Sequence, residues 1–404
     1  MNKRLVLAGS ALMASLGLCA AAVPAAAEPV NGSDDVSGVS IDCGDVAGLI
    51  DAVNQANIDG GTIKLAERCA YRFEDDFEDS GNALPAITGD VTILGKDSTL
   101  IRSSQHGASL FRLLAVNEGG SLTLKGVTVA GGLVDGDGAG IANAGTLKLL
   151  RSTVAGNQAT GNGGGISNEG GDVTLDESRV INNAVFDADT DAGDGGGLSN
   201  NADGTLTIKS STIAGNSSEE DGGGIENWGT LAIDGSRIVN NVARDDDGGA
   251  IHNLGTATID NSKITENWAG IDGGAIDNGE DATLDVLATT FSRNVAGRDG
   301  GAINNEGTAT LTDSWVKKNQ AGRDGGGINN EQEAGADTAE LTLEGTKVSE
   351  NRAAGVGGGI NNWAGGVVTL DEDSSVTENE PTNCEGDVPG CDAVASAAVQ
   401  QNKG

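Results

Sequence analysis

Seven aspartates of this 404-residue chain recur at one position of a repeated pattern: Asp137, Asp194, Asp221, Asp247, Asp272, Asp299 and Asp324. Each stands four residues before an apolar anchor in the series Ile141, Ile166, Leu198, Ile225, Ile251, Ile276, Ile303, Ile328 and Ile360, and Asn162 and Val356 fill the slot in the other two units. If the units stack, these carboxylates lie about 4.8 Å apart along a column, where like charges repel. A hard cation would offset that repulsion, and carboxylate and carbonyl oxygens suit Ca²⁺. Asp194, Asp221, Asp247, Asp272, Asp299 and Asp324 are therefore the candidate metal residues, with Ca²⁺ as the candidate cofactor. Asp187, Asp189, Asp191, Glu219, Glu220, Asp245 and Asp246 would thicken the ridge. The competing reading is the turn preference of Asp-Gly.

Catalytic chemistry is harder to find. The chain has two histidines, His106 and His252. His252 fills a slot held elsewhere by Ala142, Ser199, Glu226, Asp277 and Asn304, so it reads as surface variation. A lyase needs a base for proton abstraction and a group to stabilise the resulting anion. Arg179, Arg237, Lys263 and Lys347 recur at one strand position and could line a polysaccharide groove, yet they form no compact constellation. A glycosidase needs a carboxylate pair, and among 60 acids any pairing would be arbitrary. The four tryptophans, Trp228, Trp268, Trp315 and Trp363, do not fall in one column. A formal charge of −36 excludes nucleic acid as a natural partner, because a phosphate backbone requires basic surface.

The elements that position these groups follow from the repeat. Successive anchors are 25 to 32 residues apart. Two residues past every anchor stands an asparagine: Asn143, Asn168, Asn200, Asn227, Asn253, Asn278, Asn305, Asn330 and Asn362. A second unbroken series is Asn157, Asn183, Asn216, Asn241, Asn267, Asn294, Asn319, Asn351 and Asn379, and a third runs from Ser152 through Thr289 to Ser374. Stretches such as Thr205-Leu206-Thr207-Ile208 alternate with strand period, and no window of a unit sustains a helical one. About three strands per unit, stacked unit on unit, predict an all-β, right-handed, single-stranded parallel β-helix. Inward amide columns then pass hydrogen bonds from coil to coil, since a buried amide is costly without a partner.

Met1-Asn2-Lys3-Arg4, an apolar run to Val23 and Ala25-Ala26-Ala27 read as a secretory leader. Beyond it no apolar run is long enough to span a bilayer. Cys43, Cys69, Cys384 and Cys391 allow three pairings. Their places at opposite ends of the array favour Cys43–Cys69 and Cys384–Cys391 as staples of the open ends. Val46, Leu49, Ile50 and Val53 predict one short amphipathic helix, N-capped by Asp45, over the bottom of the first coil. The resulting order is leader 1–27, flexible segment 28–42, cap helix with irregular first coils 43–130, regular repeats 131–380, and a disulfide-closed end with a disordered tail 381–404.

Gly248-Gly249-Ala250-Ile251-His252-Asn253 and Gly300-Gly301-Ala302-Ile303-Asn304-Asn305 resemble the polymorphic outer-membrane protein repeat. The opening from Cys43 through Leu49-Ile50-Asp51-Ala52-Val53-Asn54 and Gly60-Gly61-Thr62-Ile63 to Cys69 is similar to the cap of exported bacterial β-helix proteins of the pectate-lyase-like superfamily. The resemblance implies the fold and export. It implies no single activity, because the fold hosts lyases, hydrolases and adhesins. No β-barrel sequence follows the repeats, so the membrane anchoring of the repeat family does not carry over. The expected function is that of a secreted, non-catalytic binding or adhesion protein, facing an extracellular polysaccharide or cell-surface component. The alternative is a calcium-dependent polysaccharide lyase or glycoside hydrolase of the pectate-lyase-like class.

Overall fold

A computed structural model describes residues 38–104, 109–186, 193–332, 338–363 and 365–391. The leader, His106, Asp187, Asp189, Asp191 and the tail beyond 391 lie outside the described residues.

The expected spiral is present. Its strands form three sheets of 23, 11 and 9 strands, and neighbouring coils pair parallel and in register. One coil shows the plan: Ile251–Asn253, Thr256–Asp260, Lys263–Thr265 and Trp268–Ala269. The second and third of these strands share the large sheet, bent at a corner, while the fourth is a two-residue strand that forms a face of its own. Alternate residues of each strand point inward, so anchors, Leu/Ile pairs and Val/Ile singles merge into one continuous apolar core.

Corners are where the ladders sit. At two corners the chain turns through a left-handed residue immediately before the laddered one, as at Asn261 (φ 50°) before Ser262 and Glu266 (φ 61°) before Asn267. The third corner admits only glycine. A Cβ on Gly300 would lie 2.5 Å from the Ile303 carbonyl oxygen, so the glycine that follows each column residue is required by close approach as well as by its positive φ.

The amides behave as their spacing predicts. In the first column each Nδ2 donates to the next Oδ1, as in Asn200 to Asn227, Asn227 to Asn253 and Asn253 to Asn278, each at 2.8 Å. Asn143 begins the line above Val116, and its Oδ1 has no partner among the described residues. In the second column each Oδ1 accepts both the backbone N–H and the Nδ2 of the preceding member. The third column uses hydroxyls, with Ser236 N–H donating to Ser262 Oγ at 3.0 Å and Ser262 N–H to Thr289 Oγ1 at 3.1 Å.

At the start, α1 (Val46–Asp59) buries Leu49, Ala52, Val53 and Ala56, and its first turn is capped by Asp45, which accepts from Gly48 N–H at 2.9 Å. Cys43 is joined to Cys69 and Cys384 to Cys391. Within the segment expected to be flexible over 28–42, Val39–Ile41 is instead a strand that pairs in parallel with Ile63, Lys64 and Leu65. The alternation Val39 out, Ile41 in lets it join the first coil as an ordinary rung.

Candidate acid–histidine site

The aspartate column is a fourth ladder. Each Oδ1 accepts the backbone N–H of the column residue one coil on: Asp221 from Asp247 at 2.9 Å, Asp247 from Asp272 at 2.6 Å, Asp272 from Asp299 at 2.8 Å and Asp299 from Asp324 at 2.9 Å. Asn162 substitutes because its amide oxygen accepts equally well, from Asp194 N–H at 3.1 Å. Val356 ends the series, donating to Asp324 at 2.8 Å.

Compensation of these charges differs along the column. Arg298 pairs with Asp272 and Asp299, and Arg323 with Asp299 and Asp324. Among the described residues no arginine pairs with Asp194, Asp221 or Asp247. Burial pushes Asp194 up to about 6, helped by the neighbouring Asp221 charge. Burial likewise takes Asp247 to about 7, with Asp272, Asp246 and Asp221 adding to it. Carboxylate oxygens of Asp221, Asp246 and Asp247 lie within 4.8 Å of one another.

Beside this stretch sits His252, and it is not surface variation. It is 9% exposed, with Nδ1 3.0 Å from Glu226 Oε2 and 3.3 Å from Asp221 Oδ2, and Nε2 3.5 Å from Asp277 Oδ2. The residue between anchor and asparagine does point away from the core. The Asp-Gly corner, however, folds over it: a Cβ on Gly195 would meet Glu226 Cβ at 3.1 Å, and one on Gly357 would meet Asn361 Cβ at 2.7 Å. Strand alternation alone cannot reveal that cover.

Once covered, the slot needs partners. Asp277 Oδ1 accepts from Asn304 Nδ2, Asn304 Oδ1 from Asn329 and Asn329 Oδ1 from Asn361, each at 2.8 Å. Burial drives the Glu226 and Asp277 carboxyls up, against the pull of His252. For His252 burial acts downward, but Glu226, Asp221 and Asp277 together hold it well above its ordinary value. Three carboxyl groups thus surround one imidazole.

A second arrangement lies on the bent sheet. Arg179, Thr212, Arg237, Lys263, Thr290, Trp315, Lys347 and Ser375 stand in register on successive coils. Trp315 therefore does join the basic series, which the comparison of the tryptophans with one another missed. Lys317 and Lys347 hold their ammonium groups 4.9 and 4.8 Å from its ring centre. Trp228, Trp268 and Trp363 are exposed elsewhere on the coils.

Residues 288–306 match the Chlamydia polymorphic membrane protein repeat. No curated protein matches the chain. The A-module of mannuronan C-5 epimerase AlgE6 from Azotobacter vinelandii is similar at 12% identity and a TM-score of 0.46, over 84% of this chain and 97% of that one. The Dettilon tailspike protein (gp208) is similar at 12% identity and a TM-score of 0.33, over 80% of this chain and 64% of that one. The chain is a parallel β-solenoid of repeated coils, and one of its stretches, residues 288–306, is similar to the polymorphic membrane protein repeat.

Proposed function

We propose that the chain acts outside the cytoplasm as a surface-binding β-solenoid, and that its bent basic face holds an acidic polysaccharide without turning it over. The observation that carries this reading is the in-register series Arg237, Lys263, Trp315 and Lys347 on a chain of charge −36. Where acids dominate, a cationic row that keeps its register across coils is suited to an extended polyanion. Sugar-ring faces can stack on an exposed indole between the carboxylate contacts. The repeat match to a membrane-protein family and two disulfides, which persist in oxidising compartments, support a place at or beyond the cell envelope.

The test uses Lys263→Thr, Lys347→Ser and Trp315→Thr together, because Thr212, Thr290 and Ser375 already fill this slot. On a column of immobilised alginate- or pectate-type polymer, wild type should be retained at low salt and released as salt rises. The triple variant should elute with the void. Equal retention of both would sink the reading, and release of unsaturated product would overturn its non-catalytic part.

A further inference from the structure

Across the corner of the bent sheet, the basic series is accompanied by one of opposite sign. Asp176, Lys209, Asp234, Asp260, Leu287, Thr312 and Glu344 stand in register on successive coils. The same coils carry Arg179, Thr212, Arg237, Lys263, Thr290, Trp315 and Lys347 in the second column. Every base of the second column has an acid three residues before it: Asp176 with Arg179, Asp234 with Arg237, Asp260 with Lys263 and Glu344 with Lys347. Among the described residues none of these eight forms an ion pair.

Two parallel columns of opposite sign are self-complementary in one orientation. A two-fold axis along the solenoid, lying on the corner, sets each column of one copy against the other column of the second. Coils then meet at equal height. Asp234 faces Arg237 of the second copy, Asp260 faces Lys263, and Lys209 faces only Thr212. A two-fold across the solenoid would set the acid column against itself. A slip of one coil would bring Lys209 against Arg179 or Arg237, so like charges reject both alternatives. The corner permits the approach, because its residues Ser210, Gly235, Asn261 and Ala288 carry no charge. Glu177 and Asp313 bound this neutral stretch, and Leu287, 43% exposed beside it, gains cover.

We propose that two copies of the chain dock side by side and parallel through this corner, with Asp234, Arg237, Asp260 and Lys263 of each as the reciprocal contacts. Repulsion between two chains of charge −36 is screened beyond about 8 Å at about 0.15 M salt, whereas contacts across the corner are closer than that. Exposed ion pairs are individually weak, so the pairing is reversible and depends on concentration. It does not rest on the polymer reading, which is measured by retention and not by mass.

Sedimentation equilibrium of the full chain at about 0.15 M salt tests this with three proteins. Arg237→Glu with Lys263→Glu makes both columns acidic at these coils, and Asp234→Lys with Asp260→Lys makes both basic. Lys209 shows that the acid column accepts lysine, and melting temperature checks that each variant folds. Both variants remain strongly acidic overall, so net charge cannot join them. Wild type should rise from one chain mass toward two with concentration, and return to one at about 1 M salt. Each variant alone should stay at one mass, and their equimolar mixture should regain the doubled mass. Wild type at single mass throughout overturns the proposal. So does a variant that doubles alone, or a mixture that does not.

Discussion

Asn267 offers the sharpest test of the amide ladder, because its four side-chain bonds can be removed in two chemically different ways. Its Oδ1 accepts the Asn241 backbone N–H at 2.9 Å and Asn241 Nδ2 at 3.1 Å, and its Nδ2 donates to Ile238 O at 3.2 Å and Asn294 Oδ1 at 3.0 Å. In Asn267→Ala, Asn241 Nδ2 keeps its bond to Ile213 O. The Asn241 N–H loses its only ladder partner and is sealed from water. One orphaned buried donor costs about 1–3 kcal/mol and each of the three further lost bonds about 1 kcal/mol, so the change should cost roughly 4–6 kcal/mol. Asn267→Asp keeps the shape and both acceptances but sets oxygen against the oxygens of Ile238 and Asn294. It must bury a charge or take up a proton, and should cost at least as much at pH 8. A solenoid can open in segments, so denaturant unfolding should be paired with amide exchange resolved by coil. Protection should fall first at the coils of Asn241 and Asn294. A loss under about 1 kcal/mol for alanine, or an aspartate variant as stable as wild type, would refute the ladder as a source of stability.

Three further outcomes follow from the same geometry. Arg298→Ala with Arg323→Ala leaves the buried Asp272 and Asp299 without their cations; the pair should cost about 2–4 kcal/mol after allowance for the half-exposed guanidiniums. Calcium at constant ionic strength should restore part of the lost melting temperature, and no recovery would show that the arginines do not stand in for a cation. In the chelator-stripped chain, Asp194 and Asp247 keep protons up to about pH 6 and 7, which the unfolded chain releases near pH 4. The folded state therefore binds more protons between those values, so melting temperature should fall from pH 5 to pH 8, and Asp247→Asn should flatten the slope. Cys43→Ser with Cys69→Ser opens a loop of separation 26; it should cost about 3.5 kcal/mol on loop entropy and expose α1 to early exchange, with later coils unaffected.

The ladders were legible in the sequence because burial of an amide is expensive, and only recurrence at one register can meet its needs. That logic applies equally to Asn253 and Asn267, and the structure buries both. The fourth strand was not legible: Trp268–Ala269 is two residues long, too short to show any period. The aspartate column was found but stayed ambiguous, since the same spacing serves a backbone cap and a cation ridge. What separates the two is where each Oδ1 points. One clue was nevertheless present, because Arg298 and Arg323 immediately precede the column residues Asp299 and Asp324 and so lie one coil above the acids they bind.

His252 is the instructive failure. An alternating strand assigns it to solvent, and the assignment of direction is right; the cover comes from the neighbouring corner, whose glycine must approach the anchor carbonyl. A covered slot that holds Ala142 or Ser167 needs nothing further. Once Glu226 enters it, a buried charge has to be answered on the adjoining coil, and His252 supplies that answer from the next rung. Asp277 answers the imidazole in turn, and Asn304 returns the slot to neutral amides. Acid, base and acid therefore form one block that cannot slide by a coil. Exchanging Glu226 and His252 would preserve composition yet remove the imidazole from both Asp221 and Asp277.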